Sequence, residues 1–236
     1  MNLKHRSNKK ELLDDVNIPF LDIKQNMHEL NTINKWLGGH AITLKGFKNL
    51  LEKKTAVTLC EIGCGDGNSL AAIVKWCNKK DVRIKCVGID IKKECIETAQ
   101  EQSILNNCTE WFISDYRKVL FKTKPDIIFS SLFCHHFTHD ELIQQIQWMQ
   151  GNCTIGFFIN DLHRHPLAYH SIKMITRIFS SSYLVKNDAP LSVARGFKKE
   201  EWKIICEQAG LKNYTIQWKW AFRYLVTWKK HEPSEI

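Results

Sequence analysis

Glycine recurs at alternate positions in Val57-Thr58-Leu59-Cys60-Glu61-Ile62-Gly63-Cys64-Gly65-Asp66-Gly67-Asn68. No other stretch constrains the fold as much. An apolar, partly β-branched run stops at an acidic residue, the glycines follow, and then Leu70, Ile73, Val74 and Cys77 recur at helical spacing. The pattern predicts strand, tight turn and helix. Glycine permits positive φ at the reversal and lets a ligand reach the backbone. Such a turn aims free N–H groups and the positive end of a helix dipole at its ligand.

The spacing separates two ligand classes. A dinucleotide loop reads G-x-G-x-x-G and seats a pyrophosphate. Here Asn68 stands where the last glycine of that pattern belongs, and Glu61 precedes the first glycine by two residues. A carboxylate beside the loop suits a cation better than a diphosphate. S-adenosylmethionine (SAM) carries an α-ammonium and a sulfonium. In the next predicted strand, Val87-Gly88-Ile89-Asp90-Ile91 ends on Asp90, placed to accept both ribose hydroxyls.

Through these residues the chain resembles the class I SAM-dependent methyltransferases. The resemblance implies an α/β, Rossmann-like fold: a mostly parallel seven-stranded sheet with a C-terminal antiparallel hairpin. It further implies SAM as cofactor. Glu61, Gly63, Gly65 and Gly67 would hold the methionine half, Asp90 the ribose, and Ile91 the adenine face. Asp115 matches the family position for the adenine amino group, with Tyr116 flanking the ring, and Ser131 and Leu132 match the segment whose backbone meets the methionine end. Strand four running into Leu132-Phe133-Cys134-His135-His136-Phe137 is similar to the small-molecule branch of ubiquinone and menaquinone biosynthesis. The segments 33–40, 160–169 and 188–197 look like bacterial methyltransferases of polyketide and aryl-polyene clusters.

The rest of the chain fits one domain. Alternating strand and helix patterns from residue 56 predict a parallel sheet with right-handed crossovers. Residues 1–10 read as a flexible basic tail and 11–236 as a single domain, with 11–53 a helical preface and 160–197 a lid-like, substrate-side insert. In that insert a helix is expected over Pro166–Phe179, followed by a Ser-rich turn and then Asp188-Ala189-Pro190. Two alternating runs, Tyr214–Trp220 and Phe222–Trp228, predict the hairpin, with its aromatic residues under helices.

Histidines gather after strands four and five, at the edge where open α/β sheets place ligands. His163 is the first candidate for a general base, with His165 and His136 behind it. Arg164 and Arg195 flank the insert and are candidates for binding an acidic substrate group. No metal is expected: the histidines lack the H-E-x-x-H pattern, and the nine cysteines are scattered without a C-x-x-C pair. Unpaired, apolar-flanked thiols indicate a reducing compartment, the cytoplasm. No run approaches the ~18 apolar residues of a membrane span.

A formal charge of +9 raises the question of a nucleic-acid partner. The basic residues are dispersed, and Ser130-Ser131-Leu132-Phe133 replaces the D/N-P-P-[YF] tetrapeptide of many amino-methylating nucleic-acid enzymes. Both points argue against nucleic acid. The expected activity is methyl transfer to a small, apolar or phenolic acceptor, at oxygen. The alternatives are an RNA-modifying methyltransferase and a non-catalytic SAM-binding module. The sequence carries no signal for an oligomeric state.

Overall fold

A computed structural model describes residues 2–15 and 17–230. Met1 and Val16, and residues 231–236 of the expected domain, lie outside the described residues.

Seven strands form one sheet: β1 (Ala56–Ile62), β2 (Arg83–Asp90), β3 (Thr109–Ile113), β4 (Ile127–Ser131), β5 (Gly156–Leu162), β6 (Tyr214–Lys219) and β7 (Arg223–Lys229). Their order is β3-β2-β1-β4-β5-β7-β6. The first five run parallel, while β7 runs antiparallel to β5 and to β6. This is the expected architecture. The order reverses between β1 and β4, so the carboxyl ends of these strands border a crevice open to a ligand.

Helices cover both faces. On one lie α2 (Gly39–Leu51), α3 (Asn68–Lys79) and α4 (Lys93–Gln100); on the other lie α5 (His139–Asn152) and α8 (Lys199–Gln208). In α3 the buried residues Leu70, Ile73, Val74 and Cys77 form the stripe seen in the sequence. Alternation along β1 assigns each side chain a face. Val57 and Leu59 pack under α2 and α3, whereas Cys60 and Ile62 face the opposite core. Glu61 therefore points to the α3 side, at the root of the glycine turn.

A third layer covers the carboxyl end of the sheet. There α1 (Phe20–Trp36) meets α6 (Pro166–Phe179) and α7 (Tyr183–Arg195). Their shared core holds Ala168, Ile172, Val185, Ala189 and Val193, with Leu30 and Ile33 of α1 against it. Asp188-Ala189-Pro190 lies inside α7, a second helix of the insert. Ser182 caps this helix, accepting from Val185 N at 3.4 Å, and the buried packing of Val185, Ala189 and Val193 outweighs the helix-breaking tendency of Pro190.

Two further expectations are corrected. Within the expected tail, residues 2–10 are laid down against the carboxyl edge of the sheet. Arg6 donates to the carbonyls of Arg195, His135 and Phe137 and lies over the Phe197 ring. Ser7 N donates to Ala194 O. Charge at a terminus signals a free tail only when nothing in the fold offers carbonyls to receive it. In the hairpin, Tyr224 and Trp228 are buried, but Trp218 and Trp220 are 51 % and 72 % exposed, at the far end of the edge strand β6.

Candidate active site

The glycine hairpin is as the sequence predicts. Gly63, Gly65 and Gly67 all adopt positive φ (64°, 52° and 74°). Gly63 N and Cys64 N donate to Ile89 O at 2.8 and 3.1 Å, which ties the turn to β2. A Cβ at Gly63 would fall 2.2 Å from the Phe133 ring, so that approach needs glycine. A Cβ at Gly65 would meet nothing within 4 Å, so this side of the turn is open.

Asp90 closes the turn from the next strand. Its Oδ2 accepts from Gly65 N and its Oδ1 from Lys92 N, both at 2.9 Å. Burial raises its pKa against the pull of these two amides. Beside it Ile91 is 71 % exposed, an apolar surface on the crevice rim.

Glu61 is buried; Leu70 N–H and the Ser69 side chain donate to its carboxyl, while its Oε2 has no hydrogen-bond partner among the described residues. Burial, and after it the charges of Asp66 and Asp90, push its carboxyl well above the usual range. Asp66, in the turn itself, is pushed up to about 6, again by burial. Three carboxyls converge here; Lys92 acts on Asp90 and His28 on Asp66, while only carboxylate charges act on Glu61. The arrangement can receive a positively charged group and release protons to do so.

The end of β4 is strained. Leu132 sits at φ 56°, uncommon for a branched residue, and its N–H donates to Asn160 O at 2.9 Å. Ser131 Oγ lies 3.4 Å from Thr43 Oγ1 and 3.5 Å from Asn160 Nδ2, at the entry of α2.

Other predicted residues already have partners within the fold. Asp115 accepts from Arg117 N and Nε at 3.0 Å each and pairs with its guanidinium, which holds its pKa down. Tyr116 turns into the core, edge-on to Phe133, Phe137 and Trp148, and flanks no open space. Neither arginine flanking the insert is free. Arg164 binds Leu3 O, Gly196 O and both oxygens of Glu201. Arg195 binds the carbonyls of His135, Lys9 and His136. Their donors serve the fold, so the expectation that they bind substrate is corrected.

The three candidate histidines do not meet. His136 lies against Glu11 and Asp14. His165 caps α6, accepting from Leu167 N at 3.2 Å, and stacks on Phe222. His163 lies beside it with ring centroids 5.4 Å apart. Both line a recess of about 730 Å³ together with His170, Lys198, Glu200 and Tyr224, at the carboxyl end of β5. Burial, then the charges of His165 and Arg164, lowers the His163 pKa. Trp218 Nε1 donates to its Nδ1 at 3.3 Å.

Sequence reasoning missed several residues. Arg223 is buried in β7 and donates from Nη2 to Asn34 Oδ1 at 2.9 Å, while Nε and Nη1 have no partner among the described residues. Burial lowers its pKa to about 10. Asn26 is fully buried in α1 with neither amide atom paired, and Asn160 Oδ1 is unpaired as well. Buried groups of this kind call for a ligand or water. An asparagine inside a helix pattern carries no sign of which neighbour it will lack.

The family model described as "Methyltransferase domain" matches residues 59–156, from β1 into β5. Over these residues the chain is similar to methyltransferase domains. Solved methyltransferases share its fold. The plantazolicin methyltransferase BpumL in complex with SAH is 17% identical, with a TM-score of 0.61 over 85% of this chain and 80% of that one. A SAM-dependent methyltransferase from Aquifex aeolicus is 15% identical, with a TM-score of 0.60 over 89% of this chain and 98% of that one. An O-methyltransferase family 2 protein from Planctomyces limnophilus, in complex with apigenin, is 14% identical, with a TM-score of 0.61 over 92% and 63%. None of the curated proteins matches the sequence. Among the described residues no helix of this methyltransferase is long and apolar enough to cross a membrane.

Proposed function

We propose that this methyltransferase passes the methyl group of SAM to a small, apolar or phenolic acceptor, at oxygen. One observation carries the cofactor assignment: the unpartnered, buried Oε2 of Glu61 beside a hairpin of three left-handed glycines. A buried carboxylate without a cation is costly, and an α-ammonium supplies one. The open side of Gly65 leaves the backbone accessible to the amino-acid half. Each Asp90 oxygen already accepts one amide and keeps a second lone pair for a ribose hydroxyl. Ile91 offers its exposed face to adenine. Tyr116, turned into the core, takes no part in this arrangement, whereas Asp115, next to Ser114 whose N–H donates to Asp90 O, keeps its expected place near the adenine amino group.

When bound, SAM supplies an electrophilic methyl on a sulfonium. The protein's task is to hold the acceptor in line and to take its proton. His163 is the proposed base. Its lowered pKa keeps the ring neutral near pH 7. To accept a proton at Nδ1 it exchanges the Trp218 indole for the acceptor hydroxyl. An acidic group on the acceptor would find donors at Arg223, not at Arg164 or Arg195. A fold neighbour that is an O-methyltransferase family protein crystallised with apigenin supports oxygen as the attacked atom. All nine cysteines are free and eight are buried, which suits the cytoplasm.

Calorimetry with SAM tests the reading. The expected result is binding by the wild type, strongly weakened in Glu61→Gln, and formation of S-adenosylhomocysteine with phenolic acceptors. Absence of binding by folded wild-type protein would overturn it.

A further inference from the structure

Asp161 fixes the tautomer of His135. Its Oδ1 lies 2.8 Å from His135 Nδ1, and its two oxygens also accept the backbone N–H groups of Phe133, His135 and Leu162. A carboxylate so placed orients the ring and turns Nε2 toward Glu11. Nε2 lies 3.7 Å from Glu11 Oε1, which also accepts from Ser192 Oγ, with the side chains of His135 and Glu11 only 3 % and 4 % exposed. An imidazole nitrogen and a carboxylate oxygen, both metal-ligating groups, thus face each other away from water. His136 repeats the arrangement: Nδ1 is 3.6 Å from Asp14 Oδ1 and Nε2 is 3.9 Å from Glu11 Oε2. One donor atom from each of Glu11, His135 and His136 lies within 4.8 Å of the other two.

We propose that Glu11, His135 and His136 bind one divalent transition-metal ion of the zinc class. Bonds of about 2.0–2.2 Å in a tetrahedral site set ligand atoms roughly 3.3–3.6 Å apart. The donor atoms, within 4.8 Å of one another, would draw together by up to about 1–1.5 Å on binding. Asp161 behind His135 and Asp14 behind His136 are the carboxylates that orient metal-bound imidazoles and raise their basicity. Four carboxylates (Glu11, Asp14, Asp161 and Asp188) surround the cluster against the guanidiniums of Arg6 and Arg195. A divalent ion cancels that excess. Imidazole and carboxylate donors without a thiolate suit zinc, iron(II) or manganese rather than copper(I). The side chain of His136 is 25 % exposed, so an ion and a fourth, water ligand have a way in.

The ion would join chain segments that are distant in sequence. Glu11 belongs to the N-terminal segment, whereas His135 and His136 lie in the 3-10 turn after β4. Bound metal would therefore clamp that segment over the carboxyl edge of the sheet. The sequence pattern pointed to no metal because Glu11 is far from the histidine pair along the chain. This site is independent of the proposed donor and acceptor.

The test uses the full chain, stripped with a chelator and titrated with zinc chloride, then separately with cobalt(II) as a spectroscopic probe. The expected result is one equivalent of zinc bound, four-coordinate ligand-field bands from cobalt, and a higher melting temperature. Asp14→Asn should weaken binding about 10–100-fold. Glu11→Gln and His136→Gln, checked for native circular dichroism, should abolish it. No stoichiometric binding by the wild type overturns the proposal. Unchanged binding in folded Glu11→Gln and Asp14→Asn proteins overturns it too, by placing the zinc elsewhere. SAM calorimetry on the same samples reads the cofactor site separately.

Discussion

Asp90 Oδ2 accepts the backbone N–H of Gly65 at 2.9 Å, so the carboxylate at the end of β2 holds the middle of the glycine turn that follows β1. The two landmarks that suggested the cofactor in the sequence are thus one physical unit. A residue assigned to ribose also shapes the loop for the methionine half.

Asp90→Ala is expected to cost more than a lost ribose contact. It removes a carboxylate that accepts from Gly65 and Lys92, each bond to a charged group contributing about 1.5–3 kcal/mol. Calorimetry with SAM should show at least about tenfold weaker binding, and thermal unfolding a lower midpoint. Affinity and midpoint both equal to wild type would show that the turn does not depend on this contact.

Cofactor affinity should rise with pH and then level off. Glu61 and Asp66 both have raised pKa values in the free protein, Asp66 at about 6. A cationic ligand needs them ionised, so below that pH binding must displace protons. The slope is about tenfold per pH unit for one proton released. Calorimetry between pH 5 and 8 in buffers of different ionisation enthalpy reads both slope and proton release; a flat profile contradicts the carboxylate cradle.

The same shift sets a stability trend for the ligand-free protein. The Asp66 carboxyl rises from 3.8 to about 6 on folding. Its contribution is therefore fully present below pH 3.8 and is lost as pH climbs through about 6. In Asp66→Asn this component of the pH dependence disappears. Chemical denaturation of both proteins from pH 4.5 to 7 checks the sign: the wild type should lose stability relative to the variant, by about 1–3 kcal/mol.

His163→Ala should reduce turnover by roughly 10²–10⁴ with SAM affinity unchanged. Steady-state rates with a phenolic acceptor, beside calorimetry, separate the two effects. A variant at the wild-type rate removes His163 from the mechanism.

Glu201→Gln should destabilise the fold without touching the cofactor site. It leaves Arg164, whose side chain is fully buried, without its bidentate carboxylate partner. Breaking a buried pair costs about 3–5 kcal/mol, and the lower end applies because Glu201 is 31 % exposed. Thermal melting with and without SAM measures this. An unchanged midpoint would mean that the carbonyls of Leu3 and Gly196 satisfy Arg164 alone.

The sequence by itself determined the sheet and its principal ligand-facing turn. Period-two and period-3.6 patterns, with glycine at the reversals, are local properties, and local sterics fix them. The strands, α3 and the carboxyl-end position of Glu61, Gly65 and Asp90 follow directly. Only the tertiary structure decided which polar groups are free. Arg164, Arg195 and Arg223 look alike in sequence, yet carbonyls and Glu201 from distant segments consume the first two, while Arg223 keeps two unpaired nitrogens. Glu11 met His135 and His136 for the same reason. Hydrogen-bond partners and desolvation depend on what folding brings alongside a side chain, and no periodicity along the chain encodes that.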